Sequence, residues 1–173
     1  MIMIYGPAGS GKSTQGGILA EKITGKALSV GQICREKFFE YTKTAAMVPE
    51  DELALAVLDE VKAAEDAGFP VVLDGQPWSR DSKGSEILSN ATNGVIIIDV
   101  PREESIKRLS SRGRDDDQLS NWNKKLDMYR DRMPEYEAML TEKNVPVYHV
   151  DGTGTIEEVS EKIYTVYTKF VQK

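Results

Sequence analysis

The chain has 173 residues, of which 40% are hydrophobic, and its net charge of −6 gives an isoelectric point near 5.0. This length suits one domain over residues 1–173 with a substantial core. The acidic balance and the lack of a basic block argue against nucleic acid as a partner. The single cysteine, Cys34, excludes a disulfide framework and a cysteine-rich metal site.

No apolar stretch has the length needed to span a membrane, and no secretory leader precedes the first motif. We therefore expect a soluble cytoplasmic protein that makes no membrane contact and works as a monomer. The single histidine, His149, lies in an apolar run and is interpreted as a strand residue rather than a catalyst.

Apolar runs alternate with helical patterns along the whole chain. Strands are predicted at 1–5, 27–30, 70–73, 94–100 and 145–150. Helices are predicted at 12–24, 32–43, 49–67, 80–89, 102–112, 119–143 and 156–171. Strands separated by helices form a parallel sheet covered on both faces. The sequence thus predicts an α/β fold, a three-layer sandwich around a five-stranded parallel sheet, with ligands beyond the carboxyl ends of the strands.

Residues 6–14, GPAGSGKST, lie between the first predicted strand and the first predicted helix. They match the phosphate-binding loop G-x-x-x-x-G-K-[ST], whose glycines let backbone N–H groups approach phosphate oxygens. The helix N-terminus adds a partial positive charge at the same point. Lys12 can reach the outer phosphates, and Ser13 or Thr14 can offer a hydroxyl to Mg²⁺. A glycine-rich turn that matched by chance would have no reason to fall between a strand and a helix.

Asp74 ends the apolar strand VVLD and precedes a glycine. In P-loop nucleotide enzymes an acid at this position holds Mg²⁺, usually through water. The alternative is an Asp-Gly turn with no further role. The order of strand, acid and P-loop favours the metal-binding interpretation.

Three arginines fall within seven residues, at Arg108, Arg112 and Arg114. Phosphoryl transfer needs positive charge around the γ-phosphate, and these guanidinium groups could supply it. A surface salt-bridge cluster with the aspartates that follow is the alternative, and it would contribute little to stability. Arg35, taken alone, reads as an ordinary arginine on a helix surface.

Six collinear segments together resemble the adenylate kinase family of nucleoside monophosphate kinases. GKSTQ resembles the family's GKGTQ, SVGQICRE its STGDLLRE, MVPEDEL its LVPDE, and LDGQPWSR its LDGFPR. RLSSRGRDDD resembles the arginine-rich stretch around the lid, and VDGTGTIEEV the stretch that passes the ATP base. The segments span nearly the whole chain, so the resemblance is specific even though each match is moderate.

The resemblance implies a P-loop kinase that transfers the γ-phosphoryl of Mg·ATP to a nucleoside monophosphate, with AMP as the first expectation. It implies catalytic roles for Lys12, Arg112 and Arg114, and ATP contacts from Gly9, Ser10, Gly11, Lys12, Ser13, Thr14, Arg108 and Gly154. Ser13 and Asp74 would hold the metal. Monophosphate contacts are implied for Val30, Arg35, Met47, Val48, Gly75, Trp78, Arg80, Arg114 and Lys125. Residues 31–69 would form the monophosphate-binding excursion.

The chain departs from the family pattern on the acceptor side. Trp78 stands where the family has the arginine of LDGFPR, and Arg80 is a candidate replacement two residues on. Trp78 could stack on a base or pack in the core. Val30 replaces a threonine that helps to recognise adenine, and Lys125 replaces an arginine and loses its bidentate fork. A kinase for UMP, CMP or another small acceptor, and a nucleotide-binding module with weak transfer, therefore stay open.

The lid is the second departure. One residue separates the two arginines that flank the family's lid, so residues 112–115 would form a minimal one. Such a lid cannot carry zinc, which agrees with the single cysteine.

Overall fold

Five parallel strands form the central sheet. The computed structural model describes residues 1–43, 48–75, 78–111 and 119–171. The strands are β1 (Ile2–Tyr5), β2 (Lys26–Ser29), β3 (Val71–Asp74), β4 (Val95–Asp99) and β5 (Val147–Asp151). Their order across the sheet is β2-β3-β1-β4-β5, with every neighbouring pair parallel. The predicted five-stranded parallel sheet is confirmed.

Eight helices lie within the described ranges. They are α1 (Lys12–Lys22), α2 (Val30–Lys37), α3 (Phe39–Lys43), α4 (Glu50–Asp66), α5 (Lys83–Ala91), α6 (Arg102–Ser110), α7 (Leu119–Glu142) and α8 (Ile156–Val171). None of these is long and apolar enough to cross a bilayer.

Most predicted boundaries differ from the observed ones by one or two residues, and three differences have a clear local reason. The helix predicted over 32–43 is two helices, because the backbone leaves the helical region at Phe38 (φ −122°, ψ 39°). The helix predicted from residue 80 begins at Lys83, where the Ser82 hydroxyl accepts a hydrogen bond from the Ser85 N–H and caps the first turn. The last strand begins two residues late, because the Val145 N–H still closes α7 by donating to the Leu140 carbonyl.

The strands bury both faces of the sheet, since successive side chains point to opposite sides. Met3 packs on one face with Tyr136 of α7, in a core shared with α4 and α5. Ile4 packs on the other face with Leu19 of α1 and Ile163 of α8. The helix that follows the glycine-rich loop therefore lies on one face of the sheet, and α4 and α7 lie on the other.

His149 of β5 joins two carboxylates from different elements. Its Nδ1 lies 2.8 Å from Asp99 Oδ2 in β4, and its Nε2 lies 3.0 Å from Glu137 Oε1 in α7. Partial burial lowers the pKa of His149, but the hydrogen bonds and charges of Glu137 and Asp99 outweigh burial and raise the pKa above its usual value. The imidazolium form thus fastens α7 to the edge of the sheet, in agreement with the structural role expected for this residue.

We predict that His149→Gln destabilises the protein at pH 6 and has little effect at pH 9. A histidine whose pKa is raised by folding contributes stability below its unfolded pKa, and that contribution disappears as the pH rises through the folded pKa. Because the side chain is about half exposed, the loss at pH 6 should be about 1 kcal/mol or less. Urea unfolding of both proteins at the two pH values measures the difference, and an equal loss at both would contradict this assignment.

Candidate nucleotide-binding site

The loop between β1 and α1 depends on glycine at two positions. Gly9 has φ +84° and Gly11 has φ +87°, in the left-handed region that other residues rarely adopt. A Cβ at Gly9 would also lie 2.5 Å from the Ser105 carbonyl oxygen. The loop therefore turns tightly against α6, and this turn places the N-terminus of α1 at the carboxyl end of β1.

Positive charge collects where this loop meets α1. Helix α1 begins at Lys12, and its first turn carries no acidic residue that would oppose the helix dipole. The Lys12 Nζ donates a hydrogen bond to the Pro7 carbonyl oxygen at 3.2 Å, which holds the ammonium group over the loop. The Ser10 N–H donates to the same carbonyl at 3.1 Å and closes the turn. This arrangement of backbone N–H groups and one ammonium is suited to an anion with several oxygens.

A cavity of about 440 Å³ opens beside the loop. Arg108 of α6 forms part of its wall, because its Nη2 donates to the Gly152 carbonyl oxygen and its Nε donates to Glu104 Oε1, both at 2.9 Å. The structure brings the predicted ATP-binding residues together around this cavity: Gly9, Ser10, Gly11, Lys12, Ser13, Thr14, Arg108 and Gly154. Their contact with ATP stays a prediction.

Sequence reasoning missed Gln15 as a cavity residue, although it ends the GKSTQ motif. Its side chain is buried, and its Nε2 donates to the Ile156 carbonyl oxygen at 2.9 Å. Within the described ranges, its Oε1 and the buried hydroxyl of Ser10 have no hydrogen-bond partner. Other lining residues come from the stretch after β5, namely Gly152, Thr155, Ile156 and Val159. Gln15 thus fastens this stretch to α1.

Asp74 ends β3 beside the loop, since its register partner is Ile4, the penultimate residue of β1. The side chain is 7% exposed and accepts a hydrogen bond from Ser29 Oγ at 3.0 Å. It points to the same face as Val72, which packs beneath α1, so the carboxylate faces the start of that helix. Asp74 and Ser13 supply the oxygen donors that Mg²⁺ prefers. No group of three acidic, histidine or cysteine side chains that could hold a metal exists among the described residues, so water and phosphate oxygens would complete the coordination.

Four of the predicted acceptor residues, Val30, Val48, Gly75 and Trp78, are wholly or partly buried. Val30 begins α2 and is buried, and its Cγ2 would lie 3.1 Å from a Cβ at Gly75. Trp78 is 4% exposed and packs in the core that contains Tyr5. Of the two roles considered for Trp78, the structure favours packing. Val48 is half-buried just before α4.

Two basic side chains predicted to bind the acceptor lie on exposed helix surfaces, Arg35 on α2 and Lys125 on α7. Arg80 is held at the end of α7 by Glu142, since its Nη2 donates to Oε1 and Oε2 of that residue at 2.8 and 2.7 Å. Glu142 is the last residue of α7, about 26 Å along the helix axis from Lys125. The structure therefore separates Arg80 from Lys125 rather than bringing them together.

Several predicted positions lie outside the described residues. They are Met47 of the acceptor-base segment, the arginines Arg112 and Arg114, and the minimal lid at 112–115. Their roles stay predictions.

Comparison with known proteins gives a consistent result. The model of the AAA domain family matches residues 5–123. The adenylate kinase of Mycobacteroides abscessus is 31% identical over 91% of this chain and 93% of its own length. The adenylate kinase of Porphyromonas gingivalis is 28% identical over 98% and 96%, and that of Thermus thermophilus is 29% identical over 94% of both.

These similarities extend over nine tenths of the chain and include the loop, the cavity and the acceptor side. The protein is therefore a phosphotransferase, and it belongs to the adenylate kinase family of P-loop nucleoside monophosphate kinases.

Proposed function

We propose that the protein transfers the γ-phosphoryl group of Mg·ATP to AMP and forms two molecules of ADP. The observation that carries this proposal is that the glycine-rich loop, Lys12 and Arg108 line one cavity. The names of the relatives support AMP as the acceptor. A cytoplasmic, monomeric state, expected from the composition, is part of the same proposal.

On the donor side, the loop and the N-terminus of α1 would bind the triphosphate through backbone N–H groups. Lys12 would lie against its outer oxygens, and Arg108 and Gly154 would lie against the base. Ser13 and Asp74 would hold Mg²⁺, which neutralises charge on the phosphate oxygens when it is bound. A loose transition state needs positioning and positive charge more than a proton acceptor, so a site without histidine is adequate.

On the acceptor side, we propose that Met47, Val48, Val30 and Gly75 line the base. The buried Trp78 would support this wall from the core. Arg35 and Lys125 would bind the acceptor phosphate, and Arg112 and Arg114 would contact the transferring group.

The acceptor could also be UMP, CMP or another small phosphate, because Val30 offers no hydroxyl to adenine. Val30 is buried beside Gly75 and offers only methyl groups where the resemblance places a hydroxyl. Arg80 is a weaker candidate for the acceptor phosphate, because the ion pair with Glu142 would first have to break.

The acceptor is tested by measuring diphosphate formation from ATP with AMP, CMP, UMP, GMP or dAMP. We expect AMP to give the highest kcat/KM, and removal of Mg²⁺ with EDTA to abolish turnover. Faster phosphorylation of UMP or CMP would show that the preferred acceptor is that monophosphate and not AMP. Tight ATP binding without a diphosphate product from any monophosphate would reduce the protein to a nucleotide-binding module.

Lys12→Met tests the donor site. We expect kcat to fall about 100- to 1,000-fold, because the variant loses a positive charge that faces the transferring phosphoryl group. Lys22→Met is the matched control, since Lys22 ends the same helix in an exposed ion pair with Glu161. The test measures the steady-state rate and the ATP affinity of both variants. A fully active Lys12→Met protein would overturn the assignment of Lys12 to the donor site.

A further inference from the structure

Glu50, the first residue of α4, connects three elements on the acceptor side. Its Oε2 accepts the Ser79 N–H at 2.9 Å, and its Oε1 accepts the Ser79 hydroxyl at 2.9 Å. Arg132 of α7 donates from Nη1 to the same Oε1 at 2.7 Å. The side chains of Glu50 and Arg132 are 18% and 28% exposed, so water screens this pair less than it screens the surface pairs.

The carboxylate of Glu50 is held in its ionised form. Partial burial raises the pKa of Glu50, but the hydrogen bonds from Ser79 and Ser82 and the charge of Arg132 outweigh burial and lower the pKa below its usual value. The junction therefore keeps its charge over the physiological pH range.

Helix α4 has a second attachment that does not involve α7. Asp51 Oδ1 accepts the Gly84 N–H at 3.1 Å, at the start of α5. Together with the bonds from Ser79, this contact holds the N-terminus of α4 against the chain that follows β3. Among these contacts, the bond from Arg132 is the one that connects α4 to α7.

Helix α7 also carries Lys125, seven residues before Arg132. Seven residues are nearly two turns, so both side chains lie on the same side of the helix, about 10 Å apart along its axis. At the other end of the junction, Val48 precedes Glu50 by two residues. The Arg132–Glu50 pair therefore connects the helix of a proposed phosphate ligand to the segment proposed to line the acceptor base.

We propose that Arg132 is a positioning residue for the acceptor monophosphate. Through Glu50 it sets the distance between Val48 and Lys125, so that the base and the phosphate of one acceptor molecule meet their partners together. This inference rests on the proposed function.

Accurate positioning matters in this chain because the stretch after β3 offers few contacts to the acceptor phosphate. The residue that replaces the family's arginine, Trp78, is buried in the core, and Arg80 is paired with Glu142. The stretch after β3 thus directs no described guanidinium group toward the acceptor. Fewer direct contacts with the phosphate make accurate placement of the remaining ones more important.

The test compares Arg132→Met with Arg130→Met. Arg130 lies two residues earlier on α7 and pairs with Asp127 and Asp131 of the same helix, so it is a matched control. We expect Arg132→Met to raise the acceptor KM about tenfold, with kcat and the KM for ATP nearly unchanged. The affinity for acceptor alone, measured by calorimetry, should fall by the same factor. Arg130→Met should leave all these values at the wild-type level.

Arg132→Lys keeps the positive charge and should recover part of the acceptor affinity, with a KM raised about threefold. Adding Glu50→Gln to Arg132→Met should cost much less than the product of the single effects, because both changes break one pair. If Arg132→Met does not fold, Arg132→Lys and Glu50→Gln must still raise the acceptor KM.

Two results would overturn the inference: an unchanged acceptor KM, or equal losses for both substrates. A merely structural role would lower the melting temperature without separating the two KM values. Failure of the proposed function is a distinct result, because the wild-type protein would then phosphorylate no monophosphate.

Discussion

The site depends on a backbone conformation that only glycine adopts readily. With φ near +85° at Gly9 and Gly11, the chain turns directly from the central strand into α1. Strand β1 lies at the centre of the sheet between β3 and β4. Because all three strands are parallel, their carboxyl ends lie next to this turn at the same edge of the sheet. Asp74 ends the strand on one side of β1, and the β4–α6 connection leads to Arg108 on the other. One turn thus organises the anion cradle, the proposed metal ligand and the wall of the cavity.

The two halves of the site are built differently. The donor half consists largely of backbone groups fixed by the sheet, and its side chains, such as Arg108 and Gln15, are held by neighbouring carbonyl oxygens. The acceptor half consists of helices attached by carboxylates, among which Glu50 and Asp51 fasten α4. An attachment through side chains can be adjusted by many single substitutions, whereas a backbone cradle responds mainly to changes at its left-handed glycines. Variation in acceptor preference is therefore expected on the second half.

Local pattern was enough to predict the sheet, the P-loop and the acid at the end of β3, because each is specified by a short run of neighbouring residues. The break at Phe38 and the start of α5 at Lys83 depend on backbone and capping details that hydrophobic periodicity does not register. The partners of Arg80 and Arg132 could not be predicted, since Glu142 and Glu50 lie 62 and 82 residues away in the chain. The neighbourhood of a long basic side chain is decided by tertiary packing, and sequence reasoning had no signal for Arg132.

The central claim is that the left-handed turn itself creates the triphosphate site, and Gly11→Ala tests it most directly. A Cβ at Gly11 meets no protein atom beyond its chain neighbours within 4 Å, so within the protein the substitution acts through the backbone preference. Gly17→Ala is the control, because Gly17 lies within α1 and is equally free of neighbours. Calorimetric titration with ATP should show affinity reduced about 5- to 30-fold for Gly11→Ala, from about 1–2 kcal/mol of strain, and unchanged for Gly17→Ala. Equal ATP affinity in the two variants would contradict the account.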